Sequence, residues 1–141
     1  MMTTLEKAIF LQGTDIFHDA PSESLSAIGA ISREVEPGDG EIIFREDEAA
    51  DAFYAVVSGR VEQARRGKVV RIRGPGEVFG LWSVFDGELR SETVVATRDV
   101  RLLKVSYADF QDLVLESMNL GWEICRVLAR EIEEEARKER F

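Results

Sequence analysis

With 141 residues, 45% of them hydrophobic and eight Phe and two Trp among them, the chain has the size and composition of one folded domain rather than a disordered segment. A single Cys125 and a single His18 exclude an internal disulfide, a cysteine-rich metal site and a histidine-based metalloenzyme. No run of about 18 apolar residues occurs and the first residues include acids, so neither a membrane span nor a secretory signal is readable; the expected location is the cytoplasm.

The formal charge of −9 is unevenly spread: residues 1–59 hold 12 acids and 3 bases, 60–104 hold 6 acids and 10 bases, and 105–141 hold 9 acids and 5 bases. An acidic chain repels a nucleic-acid backbone, so no direct nucleic-acid partner is expected, whereas a small anion suits the basic middle. Within that middle, Arg60, Arg71 and Arg73 alternate with Val61, Val70 and Ile72, which predicts arginines towards solvent and aliphatic residues inward.

In chain order, a helix is predicted around Leu5 to Gln12, broken at Gly13-Thr14, with His18 in the loop that follows. A second helix starts at Pro21-Ser22, with Glu23 in its first turn and Leu25, Ile28 and Gly29 at helical spacing towards Ile31. From Ile31 to Ser106 the pattern changes to short β runs divided by turn signals: Glu41–Phe44, Ala52–Val57, Arg60–Ala64, Lys68–Arg73, Glu92–Thr97 and Val100–Val105. Seven or eight short strands without long helices between them predict a mainly β fold, an antiparallel jelly roll or barrel with helical flanks.

Residues 107–138 return to helix. Ala108–Ser117 carries Phe110, Leu113 and Val114 on one face, and Asn119-Leu120-Gly121 reads as a joint before Trp122 to Lys138. On the last helix Ile124, Leu128, Ile132 and Ala136, joined by Cys125 and Ala129, form an apolar stripe that docks on its own domain or forms a homodimer seam. Cys125 and Trp122 are expected to be buried in packing.

The stretch from Gly74 to Ala96 carries the chemistry. Phosphate needs converging backbone N–H donors without side chains in the way, which glycine turns and a first helical turn supply. Gly76 and Gly80 suit this, and Leu81–Phe85 reads as one helical turn beginning at Gly80. The anion also needs a fork-shaped permanent charge, for which Arg90 is the candidate, with Ser91 adding a hydroxyl. No acid/base pair tied to a nucleophile is recognisable, so the chain does not read as an enzyme.

Four segments then carry a resemblance: Gly38-Asp39-Gly40-Glu41-Ile42-Ile43-Phe44-Arg45-Glu46, Phe53 through Val61, Gly76-Glu77-Val78-Phe79-Gly80, and Arg90-Ser91 with Thr93-Val94. In this order and spacing they resemble the cyclic nucleotide-binding domain family, the module of bacterial catabolite-activator transcription factors and of cyclic-AMP-dependent kinase regulatory subunits. The resemblance implies one domain over residues 1–141: an eight-stranded antiparallel β-roll with N-terminal helices and a C-terminal helical pair. It identifies residues 74–96 as resembling the phosphate-binding cassette, with Gly80, Leu81, Arg90 and Ser91 on the cyclic phosphate of cyclic AMP or cyclic GMP, and Phe79, Trp82 and Thr93 lining the pocket. In the family the last helix closes over the base and, in the transcription factors, forms the dimer seam.

Three departures accompany the resemblance. The position that in the family is normally Glu, accepting the ribose 2'-hydroxyl, is Leu81. The position after Arg90-Ser91, commonly Ala, is Glu92, which adds a carboxylate near the anion site unless it faces outward, as strand alternation from Ser91 allows. The transcription factors continue into a helix-turn-helix where this chain stops at Phe141, so the expectation is a module without that DNA-binding domain. The implied function is a regulatory module that binds a cyclic nucleotide and signals through the C-terminal helix. The alternative is a degenerate domain without nucleotide, acting in protein interaction or dimerisation.

Overall fold

A computed structural model of the chain describes residues 1–139. The first helix, α1 (Thr4–Gln12), starts where Thr3 accepts the Glu6 N–H and Glu6 returns the bond to the Thr3 N–H, a reciprocal cap that satisfies two orphan donors. α2 (Ser22–Ile31) follows Pro21, whose fixed backbone angle suits a helix start.

Eight strands then form two four-stranded antiparallel sheets. β1 (Arg33–Val35), β8 (Arg101–Ser106), β3 (Ala52–Ser58) and β6 (Val78–Phe79) make one, in that spatial order. β2 (Ile42–Phe44), β7 (Thr93–Ala96), β4 (Val61–Arg65) and β5 (Lys68–Arg73) make the other. A short helix, α3 (Leu81–Asp86), lies between β6 and β7, and α4 (Tyr107–Glu116) and α5 (Met118–Glu139) complete the chain. The mainly β roll with helices at both ends is the architecture expected from the sequence.

β3 explains why the roll has two cores. Its five residues Ala52 to Val56 are all buried, because one face meets the helices and the other meets the opposite sheet. Phe53 and Ala55 join Leu11, Phe17, Ile28, Leu103, Phe110, Leu120 and Ile124 in the helix-side core. Ala52, Tyr54 and Val56 join Val61, Phe79, Val94, Ala96 and Leu102 between the sheets. A strand buried on both faces reads as a continuous apolar run rather than an alternation.

β1 and β6, three and two residues long, have no pattern of their own and complete the eight strands through pairing with β8 and β3. Three expectations are corrected. The joint between the last helices falls at Ser117, not at 119–121: the Ser117 hydroxyl accepts the Leu120 N–H, Leu120 is buried as the anchor, and Gly121 lets α5 approach Val114 closely. Trp122, at 69% exposure, and Cys125 lie on the solvent face of α5, because Leu120, Ile124 and Val127 supply its docking face instead. On the edge strand β5, Val70 and Ile72 are about half exposed, at 51% and 53%, since no further strand or helix covers them.

Candidate functional site

The site is built around Arg90. Its backbone is fixed from both sides, the Arg90 N–H donating to the Glu48 carbonyl at 2.8 Å while the Asp47 N–H donates to the Arg90 carbonyl at 2.8 Å. Only 2% of the residue is exposed. Nη1 donates to the Gly80 carbonyl at 2.9 Å, Nη2 donates to the Ala52 carbonyl, and the guanidinium carbon lies 3.8 Å from the centroid of the Phe44 ring.

Two carbonyl dipoles and one ring face are modest compensation for a buried cation. Nε is buried without a partner, and Arg90 forms no ion pair among the described residues. Burial pushes the Arg90 pKa down from the ordinary arginine value, yet guanidinium keeps its proton in proteins. The result is a shielded positive charge lacking a counterion, which an entering anion would supply.

Gly80 makes that arrangement possible. Its φ of +81° lies in the left-handed region, and a Cβ there would stand 2.8 Å from Arg90 Nη1, nearer than side chains approach. The glycine expected to approach a ligand is therefore first of all the glycine that admits the arginine.

Arg90 borders a cavity of about 360 Å³ between β4, β5 and the start of β7. Arg71 and Arg73 also line it: Arg71 is exposed to solvent as expected while bordering the cavity, whereas Arg73 is half-buried, contrary to the expectation that it faces solvent. Across the β4–β5 pair Arg71 stands opposite Gln63 and Arg73 opposite Val61, and both partners are buried inside the roll. The neighbouring Val70 and Ile72 were no guide to the buried side, because on an uncovered edge strand both are half exposed and both border the cavities as well. Arg73 Nε donates to Gln63 Oε1 at 2.7 Å and the same guanidinium reaches Glu77 at 3.4 Å.

Glu92 is corrected likewise. It shares the inward parity of buried Val94 and Ala96, lines the cavity and pairs with Arg65 at 3.3 Å, while its Oε2 is buried without a partner. Alternation counted from Ser91 failed because the chain bends at 91–92, before the strand begins.

A second cavity of about 880 Å³ adjoins the first along Arg71, Arg73, Gly80 and Trp82 and extends under α5, where Glu131, Ile132 and Ala136 border it. Burial raises the Asp15 carboxyl pKa, against the opposing effect of the Val78 N–H, which donates to it at 3.0 Å. Burial and then neighbouring Glu134 raise that of Glu131.

The expected site residues separate accordingly. Gly80, Arg90, Ser91 and Trp82 meet at the first cavity, with Ser91 exposed on its rim and Trp82 between the two spaces. Phe79 is buried, stacked on Tyr54 at 5.2 Å, and borders only the second cavity. Leu81 is 3% exposed and packs in the helix-side core while edging the second cavity. Thr93 borders neither cavity: it sits on the outward parity of β7, where its hydroxyl accepts the Glu46 N–H at 3.0 Å. Sequence reasoning did not find Phe44, Gln63, Arg71 and Arg73; the excess of bases over residues 60–104 was the signal for the arginines.

The model of the cyclic nucleotide-binding domain matches residues 33–117. A cyclic AMP receptor protein of Thermus thermophilus is 31% identical over 130 residues, covering 88% of this chain and 60% of that protein. A CRP-like cAMP-activated global transcriptional regulator of Mycobacterium tuberculosis is 29% identical over 115 residues, covering 76% and 51% respectively. The chain thus spans between half and three fifths of the length of these curated relatives. The solved N-terminal domain of a transcriptional regulator from Streptomyces coelicolor A3(2) superposes with a TM-score of 0.80 at 26% identity, over 89% of this chain and 93% of that one. Among the described residues no helix is long and apolar enough to cross a membrane. The matched stretch runs from β1 through α4 and includes Arg90 and the strands β4 and β5 that carry Arg65, Arg71 and Arg73, and the chain belongs to the cyclic nucleotide-binding domain family.

Proposed function

We propose that the chain is a sensor module that takes the phosphate of a cyclic nucleotide on Arg90, with Ser91 at the rim, and reports occupancy through α5. The observation that carries this reading is the buried Arg90 guanidinium, held by Gly80, Ala52 and Phe44 with no carboxylate to neutralise it among the described residues. Anion entry relieves that charge inside a low-dielectric site, where the attraction exceeds its value in water. The C-terminal half of α5 borders the adjoining cavity, so a base seated there changes the relative stability of helix positions and shifts their populations.

Leu81 sets the specificity of this module. Its buried side chain offers no acceptor to a ribose 2'-hydroxyl, and a hydrogen bond to a charged group contributes about 1.5–3 kcal/mol. Cyclic AMP and cyclic GMP therefore bind roughly tenfold to a hundredfold more weakly than to a site with that carboxylate. Thermal unfolding with each nucleotide is the test. At about a hundred times the dissociation constant, one site adds about 2.7 kcal/mol and raises Tm by several degrees. The Arg90→Leu variant shows no rise; no shift in the wild type at millimolar ligand overturns the reading.

A second observation favours a homodimer through α5. Met118, Trp122, Cys125, Ala129 and Ile132 are exposed along one side of this helix, and half-buried Ala136 continues the line at alternating steps of four and three residues, the spacing of a two-stranded seam. In a parallel pair the two copies of Cys125 face one another. Mild oxidation then cross-links the protein as a dimer, and Ile132→Glu lowers the sedimenting mass to that of a monomer. A monomer in the wild type without Cys125 cross-linking overturns this.

A further inference from the structure

We infer that the ligand this site prefers carries two phosphate groups, one on Arg90 and one on Arg71: a cyclic dinucleotide or a linear nucleoside bisphosphate rather than a cyclic mononucleotide. The inference rests on the reading of Arg90 as the phosphate anchor and adds the class of ligand.

The charges around the first cavity do not match a monoanion. Four arginines, Arg65, Arg71, Arg73 and Arg90, line it with one carboxylate, Glu92. Two are neutralised locally, Arg65 by Glu92 at 3.3 Å and Arg73 by Glu77 at 3.4 Å. Arg71 and Arg90 have no ion-pair partner among the described residues and border the same space. Arg71 gets its direction from the strand pairing that sets it opposite buried Gln63, and Arg90 is buried with Nε unpartnered. The phosphodiester of a cyclic mononucleotide has one negative charge and satisfies one of the two guanidiniums. A ligand with two phosphates satisfies both, and each gains charge-assisted hydrogen bonds with fork geometry.

Space and sugar chemistry point the same way. The cavities of about 360 Å³ and 880 Å³ share Arg71, Arg73, Gly80 and Trp82, so the space beside Arg90 continues into a second, larger one where a further part of a ligand can lie. Trp82, 48% exposed at the junction, presents an indole for base stacking. The buried Leu81 gives a ribose hydroxyl no acceptor, so sugar recognition does not favour a single cyclic ribonucleotide, and the second phosphate becomes the available source of affinity.

The test is calorimetric titration of the full chain, at about 0.15 M salt, with cyclic AMP, cyclic GMP, cyclic di-AMP, cyclic di-GMP and adenosine 3',5'-bisphosphate. A two-phosphate probe is expected to bind about tenfold or more tightly than either mononucleotide. Preference for the cyclic dinucleotides over the linear bisphosphate, or the reverse, identifies which source the site reads. Arg71 is exposed, so Arg71→Gln keeps the fold; it should weaken the two-phosphate probe about tenfold and leave cyclic AMP within about threefold. Equal affinity for one-phosphate and two-phosphate probes, or an Arg71→Gln variant that weakens all alike or none, overturns the inference while leaving Arg90 as anchor. Unchanged binding of every probe to Arg90→Gln, or no binding to the wild type, overturns the anchor itself and this inference with it.

Discussion

Replacing Gly80 with Ala tests whether the glycine exists to admit Arg90. The added Cβ stands 2.8 Å from Arg90 Nη1 and 3.4 Å from the Phe44 ring, at a backbone φ of +81°. The left-handed conformation alone costs an L-residue about 1–2 kcal/mol. Displacing the guanidinium breaks its 2.9 Å bond to the Gly80 carbonyl, a charge-assisted bond contributing about 1.5–3 kcal/mol. The total is about 2.5–5 kcal/mol, a fall in Tm of about 8–20 °C for a domain of this size. Gly87 provides the control, since its φ is +71° but a Cβ there meets nothing within 4 Å, so Gly87→Ala bears the backbone cost alone. Urea unfolding of both variants reads the difference, expected at about 1.5–3 kcal/mol. Equal losses would refute the argument that Gly80 is required by the arginine.

Other consequences can be checked alongside. Gly59→Ala, whose Cβ would meet the Asp99 carbonyl oxygen at 2.7 Å and Val100 Cα at 2.8 Å, is expected to lose about 3 kcal/mol or more in denaturant unfolding, because the atoms it meets are backbone rather than the end of a flexible side chain; a loss below about 1 kcal/mol contradicts this. Leu81→Glu puts a carboxyl into the helix-side core, so the ligand-free protein should lose about 2–5 kcal/mol by the same measurement, while cyclic AMP binding strengthens about tenfold by calorimetry. For Asp15 and Glu131 the folded pKa is raised, so the native state takes up protons more readily than the unfolded chain. Their contribution to stability accordingly grows as pH falls from 7 through those raised values and levels off below the ordinary carboxylate range. Amide exchange over 128–138, corrected for intrinsic rates, should slow on acidification, and Glu131→Gln should blunt the change; faster exchange in acid contradicts the sign.

The fold was legible because its signals are local: turn residues between short β runs, and apolar faces at helical spacing in 22–31 and 107–138. What escaped depended on distant partners. β6 is two residues that exist as a strand by pairing with β3, and β1 is three residues that exist by pairing with β8. Arg73, half-buried against Gln63, was assigned to solvent since alternation says which residues share a face, not which face is inside, and on an uncovered edge strand the aliphatic residues do not decide. Glu92 was misplaced for a related reason, a bend that resets the alternation just before β7. Within the site, Gly80 and Arg90 were legible by motif, and the structure adds that each is the other's steric neighbour. Phe44 under the guanidinium could not be read, since 46 residues separate it from Arg90 and only the fold brings them together.

The most direct test of the account is to map where cyclic AMP binds, by titrating the isotopically labelled protein and following its backbone amide resonances. The account predicts saturable shifts at 79–82 and 90–92, with the Arg90 side-chain Nε–H among the largest, and accompanying shifts over 131–138 where α5 borders the adjoining cavity. Saturable shifts that leave Gly80 and Arg90 unmoved, or none at millimolar nucleotide, would contradict it.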